Sequence, residues 1–79
     1  MVRLLAHRVV HDGNLAGLSV VVADDSGIAV MPFEGETAET AFIDGTIIVE
    51  DGVLYHTPLL ISSLPFPSGL QTARVWPQD

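Results

Sequence analysis

Apolar runs along this chain are separated by short acidic-glycine signals, Asp12-Gly13, Asp25-Ser26-Gly27, Glu34-Gly35, Asp44-Gly45 and Asp51-Gly52, with Val, Ile, Leu and Phe between most of them. Glycine takes positive φ without steric cost and aspartate hydrogen-bonds its own backbone, so each signal lets a strand reverse in a few residues. The rhythm predicts an all-β domain: a small antiparallel meander of five or six strands forming a sandwich or half-open barrel.

The first hairpin is expected as residues 3–10, a turn at His11-Asp12-Gly13-Asn14, and residues 15–23. With Asp12-Gly13 as a two-residue loop, Val9 faces Ala16, His7 faces Leu18 and Leu5 faces Val20. One face then holds Leu5, His7, Val9, Leu18, Val20 and Val22, and the other holds Leu4, Ala6, Arg8, Val10, Leu15, Gly17, Ser19 and Val21. Neither face is polar enough to stand in water alone. A reversal at Asp24–Gly27 leads into a third strand, 28–33, whose Pro32 cannot donate to a ladder and places it at a sheet edge or at a strand end. Residues 34–40 form the one sustained polar stretch and read as a solvated loop, with one helical turn as the minor option.

Thr46–Glu50, Asp51-Gly52 and Val53–Thr57 predict a β-hairpin closed by a type I′ turn, with Val49 opposite Leu54 and Ile47 opposite His56. Beyond Pro58, Leu59-Leu60-Ile61 is apolar but short. Residues 62–79 form an extended, proline-bearing C-terminal segment, expected to pack on or pair with the sheet, with 70–76 as its last strand. The whole of 1–79 reads as a single domain.

A chain of 79 residues buries only about 60 to 65% of its unfolded surface. It has no cysteine to supply a disulfide or a thiolate metal site. With 48% of residues hydrophobic and 16% charged, burial or association must supply the stability. Ten carboxylates stand against three arginines, and there is no lysine, giving a net charge of -7. That balance repels nucleic acid and anionic membranes, and it removes P-loop, Schiff-base and serine-lysine chemistry. No signal segment or apolar run of membrane-spanning length is present, so a cytoplasmic location is expected. A chain from which a secretory signal had been trimmed would read the same.

Candidate chemistry is sparse. His7 and His11 have the four-residue spacing of helical metal ligands, with Asp12 adjacent. On a strand that spacing spans about 13 Å, so His7, His11 and His56 would share an ion only by tertiary convergence. Ser62-Ser63 and Ser68-Gly69 lack a nucleophile elbow, and Asp24-Asp25 and Glu50-Asp51 sit in turns, where carboxylates stay solvated. Asp24–Gly27 lacks the spacing of a calcium-binding helical loop. The aromatics Phe33, Phe42, Tyr55, Phe66 and Trp76 are expected mainly in the core, with Trp76 placed to cover either the core or a neighbouring subunit.

Leu4 to Gly13 followed by Leu18 to Ile28 resembles the small β-sandwich subdomain that precedes the catalytic barrel in amidohydrolases. The resemblance covers about the first 45 residues and rests on a strand, an Asp-Gly turn and a second apolar strand. Phe42-Ile43-Asp44 is similar to the end of that family's strand leading to its metal site, but Gly45-Thr46-Ile47 follows where a His-x-His pair would stand. The resemblance therefore implies a scaffold without the enzyme, and no catalytic residue is carried over.

A sheet apolar on both sides needs a second layer or another molecule. The expected role is a noncatalytic interaction module, without cofactor, that forms a homodimer or binds a protein partner. Val30, Pro32, Tyr55 and Trp76 are its candidate interface residues. The alternative is a small-ligand or metal-binding accessory protein using the histidines and the acidic loops.

Overall fold

The computed structural model describes residues 1–35 and 40–77. The described residues hold no helix and nine strands: β1 Val2–Ala6, β2 Arg8–His11, β3 Asn14–Ala16, β4 Ser19–Asp24, β5 Gly27–Pro32, β6 Ala41–Phe42, β7 Thr46–Glu50, β8 Val53–Thr57 and β9 Ala73–Trp76. They form two mixed sheets. Sheet A has the order β5-β4-β1-β6 and sheet B the order β3-β2-β7-β8-β9, and neither closes into a barrel. The expected all-β architecture is present. The loop expected at 34–40 falls largely on residues 36–39, outside the described residues.

The strand count exceeds the predicted five or six because the first hairpin is shared between the sheets. Its register is the one expected from an Asp12-Gly13 loop, with Val9 opposite Ala16 and Leu5 opposite Val20. The chain bends at His7 on one arm and at Gly17-Leu18 on the other, so each arm leaves sheet A and enters sheet B. The bend also exchanges faces. Sheet A turns Val2, Leu4, Ala6, Val21 and Ala23 toward the core, whereas sheet B turns Val9 inward, a residue of opposite parity. This explains why both faces of the hairpin read as apolar: each face is the inner one in a different sheet.

Two pairings depart from an antiparallel meander. β6 lies parallel to β1, with Leu4 opposite Ala41, and β7 lies parallel to β2, with Arg8 opposite Thr46. Residues 41–50 thus follow 4–11 across both sheets, but with one extra residue between Leu5-Phe42 and Arg8-Thr46. Gly45 lies in this crossing at φ +89, where any added Cβ would fall on the Thr57 carbonyl oxygen and within 2.9 Å of Pro58 backbone atoms. Ile43 N donates to Leu5 O at 2.9 Å beside the crossing, and His56 Nε2 donates to Asp44 O at 2.6 Å.

The main core lies between the sheets, where Ala6, Val9, Val21, Ala23, Ile47, Val49 and Leu54 are buried. Val75 and Trp76 both pack on it, although they are consecutive, because a bulge interrupts the β8-β9 register between Leu54 and Tyr55. Both two-residue Asp-Gly loops take positive φ at each position, Asp12 at 51° with Gly13 at 83°, and Asp51 at 52° with Gly52 at 74°. That is the type I′ geometry predicted for the second hairpin, and its register, Val49 to Leu54 and Ile47 to His56, is also as expected.

Candidate functional site

The two outer faces of the sandwich are treated differently. On sheet B, the outward side chains Val10 and Ile48 form a second buried cluster with Ile61, and Leu15, Tyr55 and Leu70 pack around it. The segment after β8 is therefore a strap laid over that sheet. A buried hydroxyl fastens it: Thr46 Oγ1 donates to Leu59 O at 2.9 Å and accepts from Ile61 N at 2.9 Å. Thr57 Oγ1 accepts a longer bond from Leu59 N at 3.4 Å. These bonds tie off backbone groups that a proline-bearing extended segment cannot satisfy within itself.

On sheet A, the outward row across β6, β1, β4 and β5 is Phe42, Leu5, Val20 and Met31, and the next row is Arg3, Val22 and Ala29. Met31 and Phe42 are exposed at 40% and 51%, and Leu18, at the bend beside this face, is exposed too. Arg3 Nε is buried and has no hydrogen-bond partner among the described residues. Between Met31 and Phe42, Leu5 and Val22 are half-buried and Val20 is buried, so the exposed apolar side chains of this face lie toward its two edges. The edge at β5 is bare, since that strand reads Gly-Ile-Ala-Val-Met-Pro with no charge and pairs with β4 alone among the described strands.

A groove also runs along sheet B where the strap leaves it, in two adjoining hollows of about 550 and 370 Å³ on either side of Phe66. Its floor is apolar, with Val10 and Ile48, and its rim is acidic, with Asp12, Glu50 and Asp51 from the two Asp-Gly turns. Turn chemistry thus places three of the chain's carboxylates beside an apolar hollow.

The three histidines occupy separate positions. His7 lies exposed on the sheet-crossing bend, edge-on to Phe42 with ring centroids 5.1 Å apart. His11 ends β2, and its Nε2 is 3.4 Å from the exposed Asp12 carboxylate. His56 is held by Asp44 O. Among the described residues, no group of three His, Asp or Glu side chains is placed to hold a metal ion. Hydrogen bonds from the Ser26 hydroxyl at 2.6 Å and the Ser26 backbone N at 2.8 Å hold the Asp24 carboxyl below the ordinary value of 3.8.

Of the interface candidates, Pro32 ends the exposed edge strand β5, while Val30 sits on the same strand with its side chain against the main core. Tyr55 packs beside the strap cluster and Trp76 against the main core. The sequence reading did not separate the two outer faces. Of the apolar run Leu59-Leu60-Ile61, only Ile61 is buried on sheet B, while Leu59 and Leu60 stay about half exposed. No helix among the described residues is long and apolar enough to cross a membrane. No family model, no curated protein and no solved structure matches this chain.

Proposed function

We propose that this protein is a noncatalytic interaction module that self-associates through sheet A. The observation that carries the reading is the open edge of sheet A: β5 holds no charge, pairs with β4 alone among the described strands, and ends on the exposed Met31 and Pro32. Leu59, Leu60, Leu64 and Phe66 of the strap are exposed too, so the bare edge, and not the amount of apolar surface, singles out sheet A. An open edge is a template for pairing with another chain, and a second copy supplies an identical one. The net charge of -7 opposes contact between copies, and the β5 strand, which lacks charge, is where that opposition is least local. Sedimentation or light scattering across the micromolar range is expected to show a mass rising above that of one 8.4 kDa chain. A single-chain mass at every concentration would remove the reading.

The groove on sheet B favours a second reading, a small-ligand site for a compound with an apolar body and a cationic end. A melting-temperature screen with aromatic amines against matched neutral analogues tests it: stabilisation by the amines alone supports it, and no shift removes it.

A further inference from the structure

The edge of β5 carries enough information to specify how two copies would meet, a step that rests on the self-association reading. Asp24 and Gly27 close the β4-β5 loop as opposite residues, and Phe33 N donates to Leu18 O at 3.3 Å in the same phase of the ladder. In an antiparallel pair, backbone groups alternate between facing the partner strand and facing away. Gly27, Ala29, Met31 and Phe33 therefore direct theirs to β4, and Ile28, Val30 and Pro32 direct theirs to the open edge. The outward set is two complete peptide donor-acceptor pairs, at Ile28 and Val30, followed by a proline with no N–H.

We infer that β5 pairs antiparallel with β5 of a second copy about a twofold axis at Ala29, joining the two A sheets into one continuous sheet. Proline selects this register. Its ring carbon occupies the place of the missing hydrogen, so a register that sets Pro32 opposite an outward-facing residue such as Ile28 drives that carbon into a carbonyl oxygen. With Ala29 on the axis, Ile28 of each copy lies opposite Val30 of the other, every outward N–H and C=O of those residues is paired, and Pro32 lies past the ladder's end. Ala29 meets its twin at a non-hydrogen-bonded site, where Cα atoms approach to about 4.5 Å and a small side chain fits best. Asp24 and Asp25 of each copy then approach the partner's Glu34 at the ladder's ends, so added salt tightens the pair.

Because the chain has no cysteine, single introduced thiols report the register. Ala29→Cys is expected to cross-link through its own counterpart under oxidised glutathione, since Cα atoms about 4.5 Å apart lie within disulfide reach. Met31→Cys is not, because its counterpart lies four residues along the ladder, about 13 Å away. Val30→Pro removes an N–H that serves no bond to β4 but also trims a side chain packed on the main core; with folding verified by far-ultraviolet circular dichroism, the dissociation constant is expected to rise at least about tenfold with the loss of two interchain hydrogen bonds. A dimer in which Ala29→Cys does not cross-link, or does so no faster than Met31→Cys, overturns this pairing and leaves self-association standing. A chain that stays single throughout overturns both.

Discussion

Gly45→Ala tests the sheet crossing most directly. At φ +89, an added methyl first meets the left-handed penalty of about 1–2 kcal/mol, of which about 0.4–1 is offset by the lower entropy of the unfolded alanine chain. The methyl also falls on Thr57 O and 2.8 Å from the Pro58 carbonyl carbon, and these are backbone atoms that cannot rotate aside. Displacing them separates β7 from the start of the strap, an overpacking cost of about 1–3 kcal/mol. The total is about 1.5–4.5 kcal/mol, against about 4–12 kcal/mol of stability for a domain of 79 residues.

Gly52→Ala is the matched control. It has φ +74 in the type I′ turn and nothing within 4 Å of the added carbon, so only the conformational part applies, about 0.5–1.5 kcal/mol. Urea unfolding followed by far-ultraviolet circular dichroism, at one fixed protein concentration, separates the two. Gly45→Ala is expected to have a urea midpoint well below those of the parent and Gly52→Ala with the slope unchanged, and in a thermal scan to melt about 10–25 °C below the parent. If the two variants agree within about 0.5 kcal/mol, the size of an ordinary surface substitution, Gly45 is not the tight point of the crossing.

Thr46→Val keeps the side-chain shape but leaves Leu59 O and the buried Ile61 N without their partner; a loss of about 1–3 kcal/mol and faster proteolysis within residues 58–72 are expected, with Thr57→Val milder. Ile61→Ala empties the strap's anchor and is expected to cost about 2–5 kcal/mol in urea unfolding, while increased dye binding reports the opened sheet B face. Asp24 has a folded pKa lowered by the Ser26 hydroxyl and then by Ser26 N, so its stabilising contribution is present above the ordinary carboxyl value of 3.8 and is lost as pH falls through the lowered folded value. Ser26→Ala should flatten that acid dependence of the melting temperature, and an unchanged acid limb would contradict it. Phe42→Ser, measured at a concentration where the chain is single, should leave the unfolding free energy from urea titration within about 0.5 kcal/mol of the parent, because the ring is half exposed; a larger loss would mean that Phe42 is packed within the chain.

The legible parts of this fold are those that local chemistry decides. Asp51-Gly52 sets its hairpin because a type I′ turn, with positive φ at both positions, matches the strand twist, and the register of Thr46–Thr57 then follows by counting. The same counting gives the register of the first hairpin on both sides of its bend, Val9 to Ala16 and Leu5 to Val20, while His7 and Leu18, expected opposite each other, lie in the bend outside the strands. What it missed is that Val9 and Val10 are both buried, one in the core between the sheets and one beneath the strap. A strand apolar on both faces has two explanations, an uncovered face or two covers, and periodicity alone does not choose between them. The choice depends on partners far along the chain: Ile47 and Ile48 of β7, which lies parallel to β2, and Ile61 on the strap.

The candidate surface follows the same division. Pro32 was readable as an edge or an end from its missing N–H, and it is both, closing the outermost strand of sheet A. That Val10 and Ile48 are covered was not readable, because it depends on Ile61 alone of the run Leu59-Leu60-Ile61, and Thr46 holds that residue in place through one hydroxyl serving two backbone groups. Releasing the strap by Thr46→Val should therefore uncover Val10 and Ile48, an apolar pair that would bind a reporter dye and draw chains together through sheet B.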